Sequence, residues 1–212
     1  MRDVFSDALE LPKRVYILGS GINGLEHHSR IPKDAYVISL NRAVCAMPSS
    51  LWLMRSLEYA ATGWFKDAMN LSVTKAFGYE LAQRVKRADY FYRYMPKLYD
   101  QPKKNELVNG ILRTGGTVAG CALQLCHWKG VRRAILCGVD MKGRTYWDGA
   151  KGSNRGTRSI GAPKTMNTDK EIGGVDMKWN RELDTLNHII RICSKRMVIS
   201  SLSETALKVD MV

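Results

Sequence analysis

No stretch of this chain approaches the about 18 to 20 consecutive apolar residues that a membrane-spanning helix needs. The opening "MRDVFSDALELPKR" is mixed in charge and lacks the apolar core of a signal peptide, so a cytoplasmic protein is expected. No C-x-x-C pair or Cys/His pair has zinc spacing, and the cysteine count, five, is odd. Cys45, Cys121, Cys126, Cys137 and Cys193 sit among apolar neighbours and read as reduced, buried thiols; no metal site is expected. Acids are scarce as well: 20 Asp and Glu stand against 33 Lys and Arg, a formal net charge of +13. That excess favours phosphorylated ligands, nucleic acid or anionic membrane surfaces, and it says nothing about fold. There is no internal repeat and no interdomain linker.

The 212 residues suit one α/β domain with a sizeable core, spanning residues 1–212. "RVYILGSG", "DAYVISLNRA" and "SSLWLMRS" read as buried strands, "SVTKAFG" and "ADYFYRYMP" as weaker ones. "LEYAATGWFKDAMNL" reads as helical, and "LEHHSRIP" as a short helix. "GGTVAGCALQLCHWKG" places Val118, Ala122, Leu125 and Cys126 at helical spacing and leads into the strand "RRAILCGVDMKG". "NRELDTLNHIIRICSKR" is a second amphipathic helix feeding the strand "RMVISSLS". Strands alternating with helices predict a largely parallel sheet covered on both faces. From Lys142 to Lys170, seven basic residues stand against two acids with no apolar period, which predicts either a long basic lid over residues 142–178 or a disordered stretch.

The strand "VYIL" runs into G-S-G-I-N-G, which satisfies G-x-G-x-x-G. Gly19, Ser20, Gly21 and Asn23 then offer a tight turn with N–H groups free for a phosphate; the alternative is a glycine turn shaped by packing. A dinucleotide site wants an acid at the end of the next strand, and Asn41 followed by Arg42 stands there instead. An uncharged donor and acceptor suits a nucleobase edge or sugar hydroxyl, so a mononucleotide or nucleotide-sugar is expected. Thr114, Gly115, Gly116 and Thr117 open the "CALQL" helix and form an anion or ribose site, or a plain N-cap. Gly138 and Asp140 end the strand "AILCGVD", at the ligand-facing edge of the sheet. "RVKRADYFYRYMPKLYDQPKK" interleaves Tyr90, Tyr92, Tyr94 and Tyr99 with cations, which fits base stacking on nucleic acid or an edge strand with one buried aromatic face.

Together, "YILGSGINGLEHHSRIPKDAYVISLNRA", "TGGTVAGCALQLCHWKGVRRAILCGVDM" and "NRELDTLNHIIRICSKRMVISSLS" resemble the bacterial sialyltransferases that carry a Rossmann-like domain with a lid. The resemblance covers both ends of the chain and hardly reaches residues 51–110. "TGGTV" also resembles the hydroxymethylpterin diphosphokinase-like proteins. The first family implies sialyl transfer from a CMP-sugar with no metal required. The second implies pyrophosphate transfer from ATP with Mg²⁺. Carried over, the first places Gly19–Asn23 and Asn41 along the nucleotide, Thr114–Thr117 at the ribose or base, and Asp140 at the pocket floor. It assigns the phosphate to Tyr146, with Lys142 as an alternative source of positive charge. Where that family has its catalytic histidine, the alignment puts Met177, beside Asp176. Asp176 and His28 are therefore the remaining candidates for a base, since a thioether takes up no proton. The partners this implies are a nucleotide or nucleotide-sugar, an anionic acceptor or the inner face of a membrane, and a second copy of the chain; nucleic acid is the weaker expectation.

Overall fold

The computed structural model describes residues 1–95, 110–113, 117–141 and 177–212. After the short polar strand β1 (Arg2–Asp3), the apolar runs become strands that end at glycine or a polar residue: β2 (Arg14–Leu18), β3 (Val37–Leu40), β4 (Leu51–Met54), β5 (Thr74–Gly78) and β6 (Tyr90–Tyr92). After the pair β7 (Tyr94–Met95) and β8 (Leu112–Arg113) come β9 (Arg133–Cys137), β10 (Val198–Ser201) and β11 (Asp210–Met211). Between them lie α1 (Ile22–His27), α2 (Gly63–Ala68), α3 (Tyr79–Val85), α4 (Val118–Trp128) and α5 (Met177–Cys193). Among the described residues, nine strands make one parallel sheet in the order β1-β6-β5-β4-β3-β2-β9-β10-β11. This is the expected α/β architecture.

Strand alternation sorts the core into two faces. Val15 and Ile17 of β2, with Ala134 and Leu136 of β9, pack with α4 and α5. Tyr16, Leu18, Ile135 and Cys137 from the same strands point the other way, against Ile31 and Ala43. Farther along the sheet, Trp52, Met54 and Phe77 meet Phe65 of α2 and Leu81 of α3. Trp52 and Phe77 meet edge to face, 4.9 Å between centroids. Each large side chain so buried contributes on the order of 1.5 to 3 kcal/mol, and continuous apolar strands are what a two-sided sheet requires.

Several elements depart from expectation. The single helix expected over "LEYAATGWFKDAMNL" is a 3₁₀ turn, Leu57–Ala61, followed by α2. Thr62 breaks it: its backbone is extended and its hydroxyl donates to the Tyr59 carbonyl at 2.7 Å. The last helix begins at Met177, inside the stretch expected to be a lid, and residues 142–176 lie outside the described residues. Tyr92 is fully buried, Tyr90 packs on the core and donates to the Ala8 carbonyl at 2.8 Å, and the Tyr94 ring packs tilted against Tyr92, 6.2 Å between centroids. The buried-face reading of this stretch therefore holds for these three rings, not a row open to bases; Tyr99 lies outside the described residues.

Four thiols are buried, and burial pushes Cys121, Cys137 and Cys193 up to about 12, which makes them inert at neutral pH. Cys45 is exposed, contrary to expectation, because it ends a 3₁₀ turn with its side chain outward. His127 stands in the last turn of α4, where a positive charge would suit the helix dipole. Its pKa is instead lowered, by burial first and by Arg196 second, and its Nδ1 is enclosed with no hydrogen-bond partner. A depressed base binds its proton more readily in the unfolded chain, so this contribution to stability is full above about pH 6.5 and is lost as pH falls toward the lowered value. An NMR titration should place the His127 midpoint below 6.5; a midpoint above that value would contradict the enclosure described here.

Candidate functional site

In a parallel α/β sheet, ligands bind beyond the carboxyl ends of strands where the chain reverses its direction of travel. Here the chain moves from β2 through β3 and β4 to β6, then returns to lay β9 on the other side of β2. The reversal point is the crevice between the β2 loop, Gly19–Gly21, and the β9 loop, Gly138–Met141.

Those two loops interlock. Gly19 N–H donates to the Cys137 carbonyl at 2.8 Å and Gly21 N–H to the Gly138 carbonyl at 2.8 Å. A side chain at Gly19 would strike the Gly138 carbonyl oxygen, and one at Gly21 the Asp140 carboxylate. Gly138 itself has φ +66°, and a Cβ there would lie 2.8 Å from both the Gly19 oxygen and the Gly24 Cα. The G-x-G-x-x-G pattern is thus built for close backbone crossing. Both amides donate to carbonyls of Cys137 and Gly138, which supports the packing alternative for this turn. Helix α1 starts at Ile22, directly after the loop, and carries Asn23 on its backbone. Ser20 stays half-buried at the rim.

Asp140 is buried, 5% exposed, at the floor of this crevice beside Gly21. Hydroxyls from the end of β10 hold it there. Ser203 Oγ accepts the Gly138 N–H at 2.9 Å and donates to Asp140 Oδ1 at 3.5 Å, while Thr205 Oγ1 donates to the Val139 carbonyl at 2.7 Å. The Asp140 carbonyl accepts the Ala206 N–H at 2.8 Å. These braces were missed in the sequence, where only the clustering of hydroxyls in "SSLSET" hints at them.

Asn41 stands at the adjoining edge. Leu18 pairs with Ser39, which puts Asn41 level with Ser20 at the carboxyl ends of β3 and β2. Its φ is +50°, a left-handed conformation that a short polar side chain tolerates. Its carbonyl accepts the Trp52 indole N–H at 2.8 Å, and its Oδ1 is enclosed with no hydrogen-bond partner. A buried unpaired amide oxygen costs about 1 to 3 kcal/mol, which a ligand donor would recover. Arg42, half-buried, follows in the 3₁₀ turn Asn41–Cys45.

Farther along the same edge, sequence reasoning missed Arg55, which follows β4. Its half-buried guanidinium lies 5.5 Å from the Tyr94 ring centroid, and no carboxylate pairs with it among the described residues. The enclosed Tyr92 hydroxyl nearby also lacks a hydrogen-bond partner. Thr117 is an N-cap, its oxygen accepting the Gly120 N–H at 3.2 Å, so capping accounts for it. Thr114, Gly115, Gly116, Lys142, Tyr146 and Asp176 lie outside the described residues. His28 lies at the far end of α1, roughly 9 Å of helix from the loop, because α1 begins three residues earlier than "LEHH" suggested.

No family model matches the chain, and no curated protein matches it. Among solved structures it is similar to the monofunctional α-2,3-sialyltransferase Cst-I of Campylobacter jejuni. The TM-score is 0.53 at 11% identity, over 93% of this chain and 79% of that one. An α-2,3-sialyltransferase of Campylobacter jejuni in its apo form gives a TM-score of 0.46 at 12% identity, over 93% and 77%. The fold is sialyltransferase-like. That likeness is one of fold, and it agrees with the Rossmann-like reading and with the resemblance carried by the motifs. In this sialyltransferase-like fold the crevice at the β2–β9 reversal depends on glycine at 138. Gly138→Ala should cost about 2 to 4 kcal/mol in urea denaturation, combining left-handed strain with overpacking. Gly63→Ala, where a Cβ meets nothing within 4 Å, is the control and should be nearly neutral. Equal effects at the two positions would contradict the interlock.

Proposed function

We propose that this chain is a glycosyltransferase-like protein of the sialyltransferase type that binds a CMP-sugar along the carboxyl edge of β2, β3 and β9. The observation that carries the reading is the enclosed Asn41 Oδ1, unpartnered among the described residues, at the edge of the reversal crevice whose far side, across β2, carries buried Asp140. An amide oxygen accepts from a ribose hydroxyl or a nucleobase amine. In the transfer, an acceptor hydroxyl loses its proton to a base and its oxygen bonds the anomeric carbon. The bond from that carbon to the phosphate oxygen breaks, and CMP leaves with the electron pair. Lys142 and Tyr146 are the groups we assign to the departing phosphate, and no metal is required when side chains carry that charge. Asp176 is the assigned base. Arg55 supplies a cation for an acidic acceptor.

Calorimetry tests this directly. CMP should bind the wild-type chain without Mg²⁺, and Asn41→Ala should weaken it about tenfold, the equivalent of about 1.4 kcal/mol. Binding of ATP with Mg²⁺ in preference to CMP would select pyrophosphoryl transfer instead, and binding of neither would overturn the nucleotide reading.

A further inference from the structure

Three neighbouring strands of the sheet begin alike. Lys13-Arg14 opens β2, Arg132-Arg133 opens β9, and Lys195-Arg196 stands just ahead of β10. The register brings them level: Arg14 pairs with Arg133, and Arg133 with Val198. The Lys13 carbonyl accepts the N–H groups of Arg132 and Arg133 at 2.8 and 2.9 Å, and the Arg132 carbonyl accepts that of Val198 at 2.8 Å. The three starts are therefore tied into one rim, roughly 10 Å across at ordinary strand spacing. All six cations are exposed, and among the described residues none has a carboxylate partner. The acids of this quarter, Asp7, Asp3 and Glu10, act on Lys129 at the flank. Because the sheet is parallel, this rim lies at the end opposite the candidate site, about 17 Å of strand away.

Concentrating six like charges opposes folding through their mutual repulsion, and nothing in the core or the crevice requires it. We propose that this rim is a docking surface for an anionic lipid bilayer, on which the protein sits with the strand starts against the headgroups. Charge complementarity carries the choice of an anionic partner. Two features select a bilayer over nucleic acid. Val198, apolar and 57% exposed, stands at the β10 side of the rim next to Arg133, where it meets the boundary between headgroups and acyl chains. The aromatic rings at this end among the described residues, Tyr36, Tyr90 and Trp128, are half-buried, with the Trp128 indole N–H enclosed, so they offer no open platform for stacking a base. Attachment is peripheral, since no helix among the described residues is long and apolar enough to cross a membrane.

The experiment is sedimentation of the full chain with phosphatidylcholine vesicles containing or lacking phosphatidylglycerol. The protein should pellet with the anionic vesicles alone and be released by high salt. Each basic residue near such a surface strengthens partitioning roughly fivefold, so Arg14→Glu with Arg133→Glu should weaken it at least about 25-fold. Lys66→Glu with Arg84→Glu, an equal charge change on exposed residues of α2 and α3, should have much the smaller effect. Thermal melting and CMP calorimetry on both variants separate loss of the rim from loss of the fold or of the nucleotide site. Failure to pellet, an equal loss in the control variant, or preference for a single-stranded oligonucleotide over the anionic vesicles would each overturn the proposal.

Discussion

The crossing of two backbone loops at the carboxyl ends of β2 and β9 is the constraint on which the rest of the site depends. Gly19, Gly21, Gly24 and Gly138 bring main chains so close that a methyl group at Gly138 would collide with two of the others. The hydrogen bonds from Gly19 and Gly21 to β9 lock that approach. Asp140 is held at the floor of the crevice because the loop that carries it can go nowhere else, and Ser203 and Thr205 close it from below. The price is paid in donors: two amides that a phosphate-binding loop would offer to a ligand are used up internally.

What remains open to a ligand is polar side chains along the strand ends. Asn41 is held in a left-handed conformation by its place in the turn and by the Trp52 indole on its carbonyl, which fixes an amide whose oxygen accepts from no donor among the described residues. Arg55, beside the Tyr94 ring, brings a cation to the same edge. An uncharged hydrogen-bonding group near the reversal point and a cation farther out suit a ligand that is a nucleotide at one end and an acid at the other. The basic rim at the opposite end of the sheet is the place proposed for a different, anionic partner.

Much of the fold was legible because a parallel sheet buried on both faces writes its strands as unbroken apolar runs that stop at glycine or asparagine. "RVYIL", "YVISL" and "RAILC" are strands for that reason. Elements held by partners far along the chain were not legible. Two-residue β1 exists only because β6 lies beside it, and α3 has just Leu81 and Ala82 buried, too few to show a helical period. The site was half legible. Asn41 and Asp140 could be picked out as polar residues closing apolar strands. The role of the glycines could not, since G-x-G-x-x-G reads the same whether its amides face a phosphate or a neighbouring carbonyl. Arg55 gave no signal because its significance lies in the absence, among the described residues, of a carboxylate beside it in space.

The central claim is that a nucleotide lies along the carboxyl ends of β2, β3 and β9, and a crystal of the chain soaked with CDP examines it most directly. The account predicts density for the nucleotide between Gly21 and Asn41, with a ribose hydroxyl or base amine within hydrogen-bonding distance of Asn41 Oδ1. Density at any other part of the molecule, or an Asn41 amide turned away from the bound nucleotide, would contradict it.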